Sequence, residues 1–165
     1  MRTTNRKSEK NNQTPNDPLM TKVKFDELKN KLDRLIKNSR PHWAAEVRRL
    51  AELGDFSENV EYQLAKGKLR GINNAITKTE QQLNQAIIIQ PRQGSDTVEI
   101  GHTVTVEVNG KEKKYTILGS SETDPERGII SHSSPIGAGL VGRKVGEVFT
   151  LKIGDIQALE RFAEK

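Results

Sequence analysis

Three carboxylates recur at spacings of three in the segment Gly54-Asp55-Phe56-Ser57-Glu58-Asn59-Val60-Glu61-Tyr62. Side chains three residues apart share one face of a helix. Asp55 and Glu58 can therefore converge, with Glu61 one step further along. Two kinds of chemistry fit such a set. The first is local. Gly54 suits the left-handed position that ends a helix, Asp55 suits the N-cap of the next, and Glu58 falls at N3 as in a capping box. The helix dipole also favours acids in a first turn. The second is ligation. Paired carboxylates on a projecting element are hard oxygen donors of the kind Mg²⁺ takes, with water and outside groups completing its shell. Spacing alone leaves both readings open.

The rest of the chain offers little competing chemistry. It has no cysteine, which excludes disulfides, thiolate metal sites and cysteine nucleophiles. His42, His102 and His132 are scattered, with no ligand spacing. Basic residues gather on both sides of the acidic segment: Arg34, Lys37, Arg40, Arg48 and Arg49 before it, Lys66, Lys68 and Arg70 after it. They form either a basic stripe along the rod or ordinary solvated helix charge. Trp43, Phe56 and Tyr62, three of only seven aromatics, lie in the same stretch. A two-helix tip has little core to bury them, so an exposed contact surface is expected. Trp43 suits equally a plug in the helix seam beside Pro41.

The elements that must position these groups follow from periodicity. Phe25, Leu28, Leu32 and Leu35 step by three, four and three, and Ile36, Trp43, Val47 and Leu50 continue on a shifted seam. The shift falls near Arg40-Pro41 and predicts a stutter or a local unwinding of the helix. After Gly54, Leu69, Ile72, Ile76, Thr79, Leu83 and Ala86 form a heptad seam. Two such helices with a short connection make an antiparallel hairpin, each arm about 30 residues and about 45 Å long. The acidic segment sits at its turn. Beyond the linker Gln90–Ser95 the period changes to two. Val104–Val108 and Lys114–Leu118 flank the hairpin turn Asn109-Gly110, with further short strands at Ile129-Ile130 and Val148–Leu151. Pro135 opens a short helix within residues 134–142, and Ile156–Lys165 reads as a helix or tail.

The whole is an α+β chain: a disordered basic arm over 1–21, a coiled-coil hairpin over 22–91, and a small antiparallel β domain with one short helix over 95–165. Composition agrees. The chain has 165 residues, 33% of them hydrophobic, so a single thick core is not expected. Its net charge of +5 is uneven. Residues 1–24 carry six basic and two acidic side chains, 25–93 twelve and nine, 94–165 nine and eleven. The basic half is the one suited to a polyanion. No apolar run approaches the roughly 20 residues that span a bilayer, and the basic N-terminus lacks an apolar signal region. A cytoplasmic protein is expected.

The segment Gly54–Tyr62 closely resembles the tip signature of the bacterial Gre transcript-cleavage factors (GreA/GreB). Arg40-Pro41 upstream, and Ser133-Ser134-Pro135-Ile136 with Leu140–Gly146 downstream, resemble that family too. The resemblance covers about residues 22–155 and implies a definite activity. The hairpin enters the secondary channel of a backtracked RNA polymerase, near the nascent RNA 3′ end. The tip carboxylates help hold a second Mg²⁺ and its attacking water, and the polymerase cuts its own RNA. On this analogy Asp55 and Glu58 are the catalytic and metal-holding acids, with Glu61 weaker. The protein binds no cofactor alone and hydrolyses nothing alone. Arg40, Trp43, Arg48, Arg49, Phe56, Tyr62, Lys66, Lys68 and Arg70 would touch RNA or the channel. An FKBP-like C-terminal domain would dock on the polymerase through Ser134, Pro135 and Ile136. A monomer is implied, with no membrane partner. Ala138 stands where the family commonly carries Arg, and the family usually ends on a strand. Three rivals compete: a Gre-like channel binder that regulates or inhibits without promoting cleavage, a peptidyl-prolyl isomerase, and a coiled-coil adaptor with no metal role.

Overall fold

Thr21 starts the rod. Its backbone is extended and its hydroxyl accepts the Lys24 N–H, as an N-cap should. From there α1 (Lys22–Arg34), a π-helical turn (Leu35–Ser39) and α2 (Arg40–Ala51) run on in sequence. Pro41 explains the π turn. It has no N–H, and its ring crowds the carbonyl four residues back. Widening the preceding turn relieves that crowding, and the Arg40 N–H bonds back to the Leu35 carbonyl. The disturbance expected at Arg40-Pro41 is therefore a wide turn that keeps the helix continuous. The computed structural model describes residues 17–54, 59–108, 111–144, 146–153 and 156–164.

The second arm is α3 (Val60–Gln85), 26 residues and so about 39 Å long. It packs against α1, the π turn and α2. Leu28, Leu50, Ala65, Ile76 and Thr79 are buried between the arms. Phe25, Leu32, Leu35, Trp43, Val47, Leu69, Ile72 and Leu83 are half-buried beside them. Apart from Ala65, which lies four residues before Leu69, these are the seam positions expected from the sequence spacing. Thr79 is the polar member, and its hydroxyl donates to the Ala75 carbonyl at 2.7 Å, which satisfies it.

At the root of the rod β1 (Leu19–Met20) pairs in parallel with β2 (Ile87–Ile88). The sheet beyond comprises β3 (Thr103–Val108), β4 (Lys111–Leu118), β5 (Ile129–Ser131), β6 (Val148–Ile153) and β7 (Ile156–Glu164), in the order β5-β4-β3-β7-β6. Helix α4 (Pro135–Leu140) lies between β5 and β6 in the chain. Val98, Val104, Val106, Ile117 and Leu140 form the core, with Tyr115, Ile130 and Ile136 against it. The fold is the α+β arrangement of helical hairpin and small sheet domain.

Three sequence expectations change in detail. The stretch read as a helix or tail is strand β7, paired with β3 on one side and β6 on the other. Pairing along both edges overrides its helix-forming composition. The sheet is also not wholly antiparallel, because β4 and β5 run in parallel. The chain crosses between them through two 3₁₀ turns, Ser120–Glu122 and Pro125–Arg127, as a parallel pair requires. Lastly, the arm over 1–21 is fixed at its end. Residues 17–21 hold β1 and a set of hydrogen bonds to the sheet domain. The Asn109-Gly110 turn lies outside the described residues, though Val108 and Lys111 on either side are paired.

Candidate functional site

α2 ends and α3 begins at the end of the rod remote from the sheet, and the acidic segment lies between them in sequence. Asp55, Phe56 and Glu58 lie outside the described residues. Their flanks are informative. Leu53 and Gly54 bond back to Leu50 and Ala51, and Gly54 takes the left-handed conformation expected of it, at φ 74°. The N-cap of α3 is Asn59, whose side-chain oxygen accepts the Tyr62 N–H at 3.1 Å. The cap assigned to Asp55 on spacing is thus provided to α3 by Asn59. Glu61 is exposed in the first turn of α3. Leu53, Val60 and Leu64 are 67%, 69% and 63% exposed, an apolar fringe beside the tip with no core to cover it.

Of the basic residues, Arg49 is engaged on its own helix. It bonds Glu46 through Nε at 3.0 Å and Nη2 at 2.6 Å. That bond, with the Glu46 charge and then the Glu61 charge across the hairpin, holds the guanidinium above its ordinary value. Lys66 Nζ lies 5.2 Å from the centre of the Tyr62 ring. Arg40, Arg48, Lys68 and Arg70 are exposed and make no ion pair among the described residues. Trp43 is half-buried, edge-on to His42 at 5.5 Å. Gly67, Gly71 and Ala75 follow one another along α3 and line a groove of about 450 Å³ with Leu35, Leu64 and Ile72. Sequence reasoning passed over it, although the four-residue spacing of small residues was the signal.

In the sheet domain Ser134 is the N-cap of α4. Its Oγ accepts the Gly137 N–H at 3.0 Å and donates to the Ser131 carbonyl at 2.7 Å. Pro135 is exposed at the first turn and Ile136 packs against the core. Ser134→Ala is expected to lower the stability of this domain by about 1 kcal/mol, because both bonds are lost at a helix start. A thermal melt followed by far-ultraviolet circular dichroism measures it.

A polar cluster that sequence reasoning missed sits at the rod's root. Asp17 Oδ2 accepts the Ser120 N–H at 2.8 Å and the Ser120 hydroxyl at 2.9 Å, and lies 2.9 Å from His132 Nε2. Burial pushes the Asp17 carboxyl up, but hydrogen bonds from Ser120, Leu19 and His132 outweigh it and hold the group below its ordinary value. A depressed carboxyl stabilises the fold above its unfolded pKa, and that contribution is lost as pH falls through the folded value. More than 100 residues separate the partners, so no local pattern announces them.

Among the described residues, no group of three His, Asp or Glu is placed to hold a metal ion. Asp55 and Glu58 carry hard carboxylate oxygens of the kind Mg²⁺ takes, and both lie outside the described residues.

Comparison with known proteins agrees with both halves of this architecture. A family model described as "Transcription elongation factor, N-terminal" matches residues 18–88, and one described as "Transcription elongation factor, GreA/GreB, C-term" matches residues 93–159. Transcription elongation factor GreA of Macrococcus caseolyticus is 42% identical over 130 residues, 78% of this chain and 82% of that protein. The GreA of Nautilia profundicola is 37% identical over 131 residues, 78% of this chain and 81% of the relative. Among solved structures, GreA factor homolog 1 (Gfh1) of Thermus thermophilus is 23% identical, aligned over 87% of this chain and 95% of that one, with a TM-score of 0.41. The sequence matches span both the rod and the sheet domain, and on them the chain belongs to the GreA/GreB family of transcription elongation factors.

Proposed function

We propose that this elongation factor stimulates RNA polymerase to cleave its own backtracked RNA, with the rod entering the secondary channel and the sheet domain docking outside it. One observation carries the reading: α2 ends at Ala51 and α3 begins at Val60 at the far end of a rod about 39 Å long, and the sequence between them carries Asp55 and Glu58. A carboxylate pair so placed is delivered into a deep site and is of little use to the chain itself.

The chemistry follows from the residue types. Asp55 would hold Mg²⁺ directly or through water, Glu58 would bind it or orient the attacking water, and Glu61 would add negative charge nearby. When bound, the ion stabilises charge on the phosphate and activates water for phosphodiester hydrolysis. The hydrolytic centre belongs to the polymerase, so the factor alone cleaves nothing. Exposed Arg40, Arg48, Lys68 and Arg70 would meet extruded RNA through its phosphates. Trp43, Phe56, Tyr62 and the fringe of Leu53, Val60 and Leu64 would line the channel contact. Ser134, Pro135 and Ile136 would dock on the polymerase as a monomer. The setting is the cytoplasm, and among the described residues no helix is long and apolar enough to cross a membrane.

The test uses a halted, backtracked elongation complex carrying end-labelled RNA. Adding the protein should speed release of the 3′ fragment, and the protein alone should leave free RNA intact. Tight binding with no acceleration would sink the cleavage reading and leave a channel-binding regulator.

A further inference from the structure

The rod meets the sheet domain at its root, and both chain crossings there are tied down. On the incoming side, Thr21 donates its N–H to Glu122 Oε2 at 2.7 Å and its hydroxyl to Glu122 Oε1 at 2.6 Å. The same hydroxyl caps α1 by accepting the Lys24 N–H, so the helix start and the sheet domain share one atom. Asp17 reaches Ser120 and His132, as described above. Between these anchors the Leu19 carbonyl lies so close to Gly119 that a Cβ there would sit 1.9 Å from it. On the outgoing side, the Arg92 carbonyl lies 3.1 Å from His102 Nε2, while His102 Nδ1 accepts the Glu99 N–H. The imidazole is thus the Nε2–H tautomer, donating to Arg92. Ile89 and Pro91 pack on Gly101, where a Cβ would sit 2.8 Å from Ile89 Cγ2, and its φ of 103° is one that other residues rarely adopt.

We infer that Asp17 and Glu122 are positioning residues: they clamp the root of the rod at one angle to the sheet domain and so set where the tip acids arrive. The inference rests on the proposed function for its consequence, though not for its geometry. A lever explains why small contacts matter. With the tip about 39 Å from the root, a rotation of about 5° moves the carboxylates by about 3 Å. A misplacement of about 1 Å in a reacting group can cost about 100-fold in rate. β1 and β2 are each only two residues long, so that pairing by itself is a poor brake on rocking. Glu122 from the sheet domain and Asp17 from the incoming arm provide the stiffness, and neither lies near the tip or in the α4 docking segment.

The chain has no cysteine, so a label pair can be introduced at exposed sites, Leu53→Cys beside the tip and Lys113→Cys on β4. Pulsed electron-electron resonance on the full-length labelled protein should give one narrow distance distribution. In Asp17→Ala/Glu122→Ala it should broaden or shift by several ångströms, with helical circular dichroism unchanged. Glu122→Gln, which keeps one acceptor oxygen, should fall between. In the unlabelled double variant, polymerase binding should persist and stimulated cleavage should drop about tenfold. An unchanged distribution overturns the clamp. So does a broadened one with cleavage still at the wild-type rate. If wild-type protein fails to stimulate cleavage, the proposed function has failed, and the distance measurement still decides whether the root is clamped.

Discussion

Asp55→Asn/Glu58→Gln is expected to lose about 100-fold in stimulated RNA cleavage while binding polymerase within about threefold of wild type. Both substitutions keep side-chain shape and remove one negative charge each. The seam residues that hold the rod, Leu28, Leu50, Ala65, Ile76 and Thr79, are untouched, as is the cap Asn59. The fold should therefore be unaltered, and competition for the channel against wild type should show retained affinity. Amide oxygens are weaker ligands for a hard cation than carboxylates. If the charges act by raising metal occupancy, high Mg²⁺ should restore part of the lost rate. Glu61→Gln should cost much less, since a single exposed first-turn acid contributes mainly through the helix dipole. Full cleavage by the double variant would show that the acids serve only as turn residues.

The rod was legible in the sequence because its signals are local. Heptad spacing named Leu28, Leu50, Ile76 and Thr79, and burial follows that spacing. Gly54 at a left-handed turn and Ser134 at a helix start were also readable, since each depends on its immediate neighbours. What escaped was everything decided by partners distant in sequence. β7 carries Ala158, Leu159 and Glu160, a helix-forming run, and becomes a strand because β3 and β6 both need an edge partner. Asp17 looked like part of a polar tail until Ser120 and His132 gave it a place. At the tip, the first-turn capping signature was real but belongs to Asn59 for the described helix, four residues on from Asp55. Capping and ligation draw on the same residue types, so spacing could not separate them.

Gly137→Ala is the second large effect expected, and it falls on stability. An alanine Cβ there would lie 2.0 Å from the Ser131 carbonyl oxygen and 3.1 Å from the His132 Cα. Both neighbours are backbone, so no side chain can rotate out of the way. The carbonyl is also pinned, accepting the Ser134 N–H at 3.0 Å and the Ser134 hydroxyl at 2.7 Å. Relief requires α4 to lift, which breaks the Ser134 cap and withdraws Leu140 and Ile136 from the core. Overpacking of this kind costs about 3 kcal/mol or more, against about 1 kcal/mol for losing the cap by Ser134→Ala. Gly142→Ala is the discriminating control. Gly142 has a φ of 85° but open space around its Cβ position, so only backbone strain opposes it. That strain is worth about 1–2 kcal/mol. Hydrogen exchange at the Val104, Val106 and Ile117 amides should therefore accelerate far more in Gly137→Ala than in Gly142→Ala. Amides along α3 should change little, because their protection comes from the rod's own seam. Equal acceleration in the two variants would mean that the contact with Ser131 is not what fixes this glycine. The shared carbonyl reaches further than α4. Ser131 Oγ lies 2.9 Å from the Ser120 hydroxyl, and the next residue, His132, holds Asp17. A lifted α4 should thus loosen the root of the rod as well, and the label pair at Leu53 and Lys113 should report it as a broader distribution in Gly137→Ala.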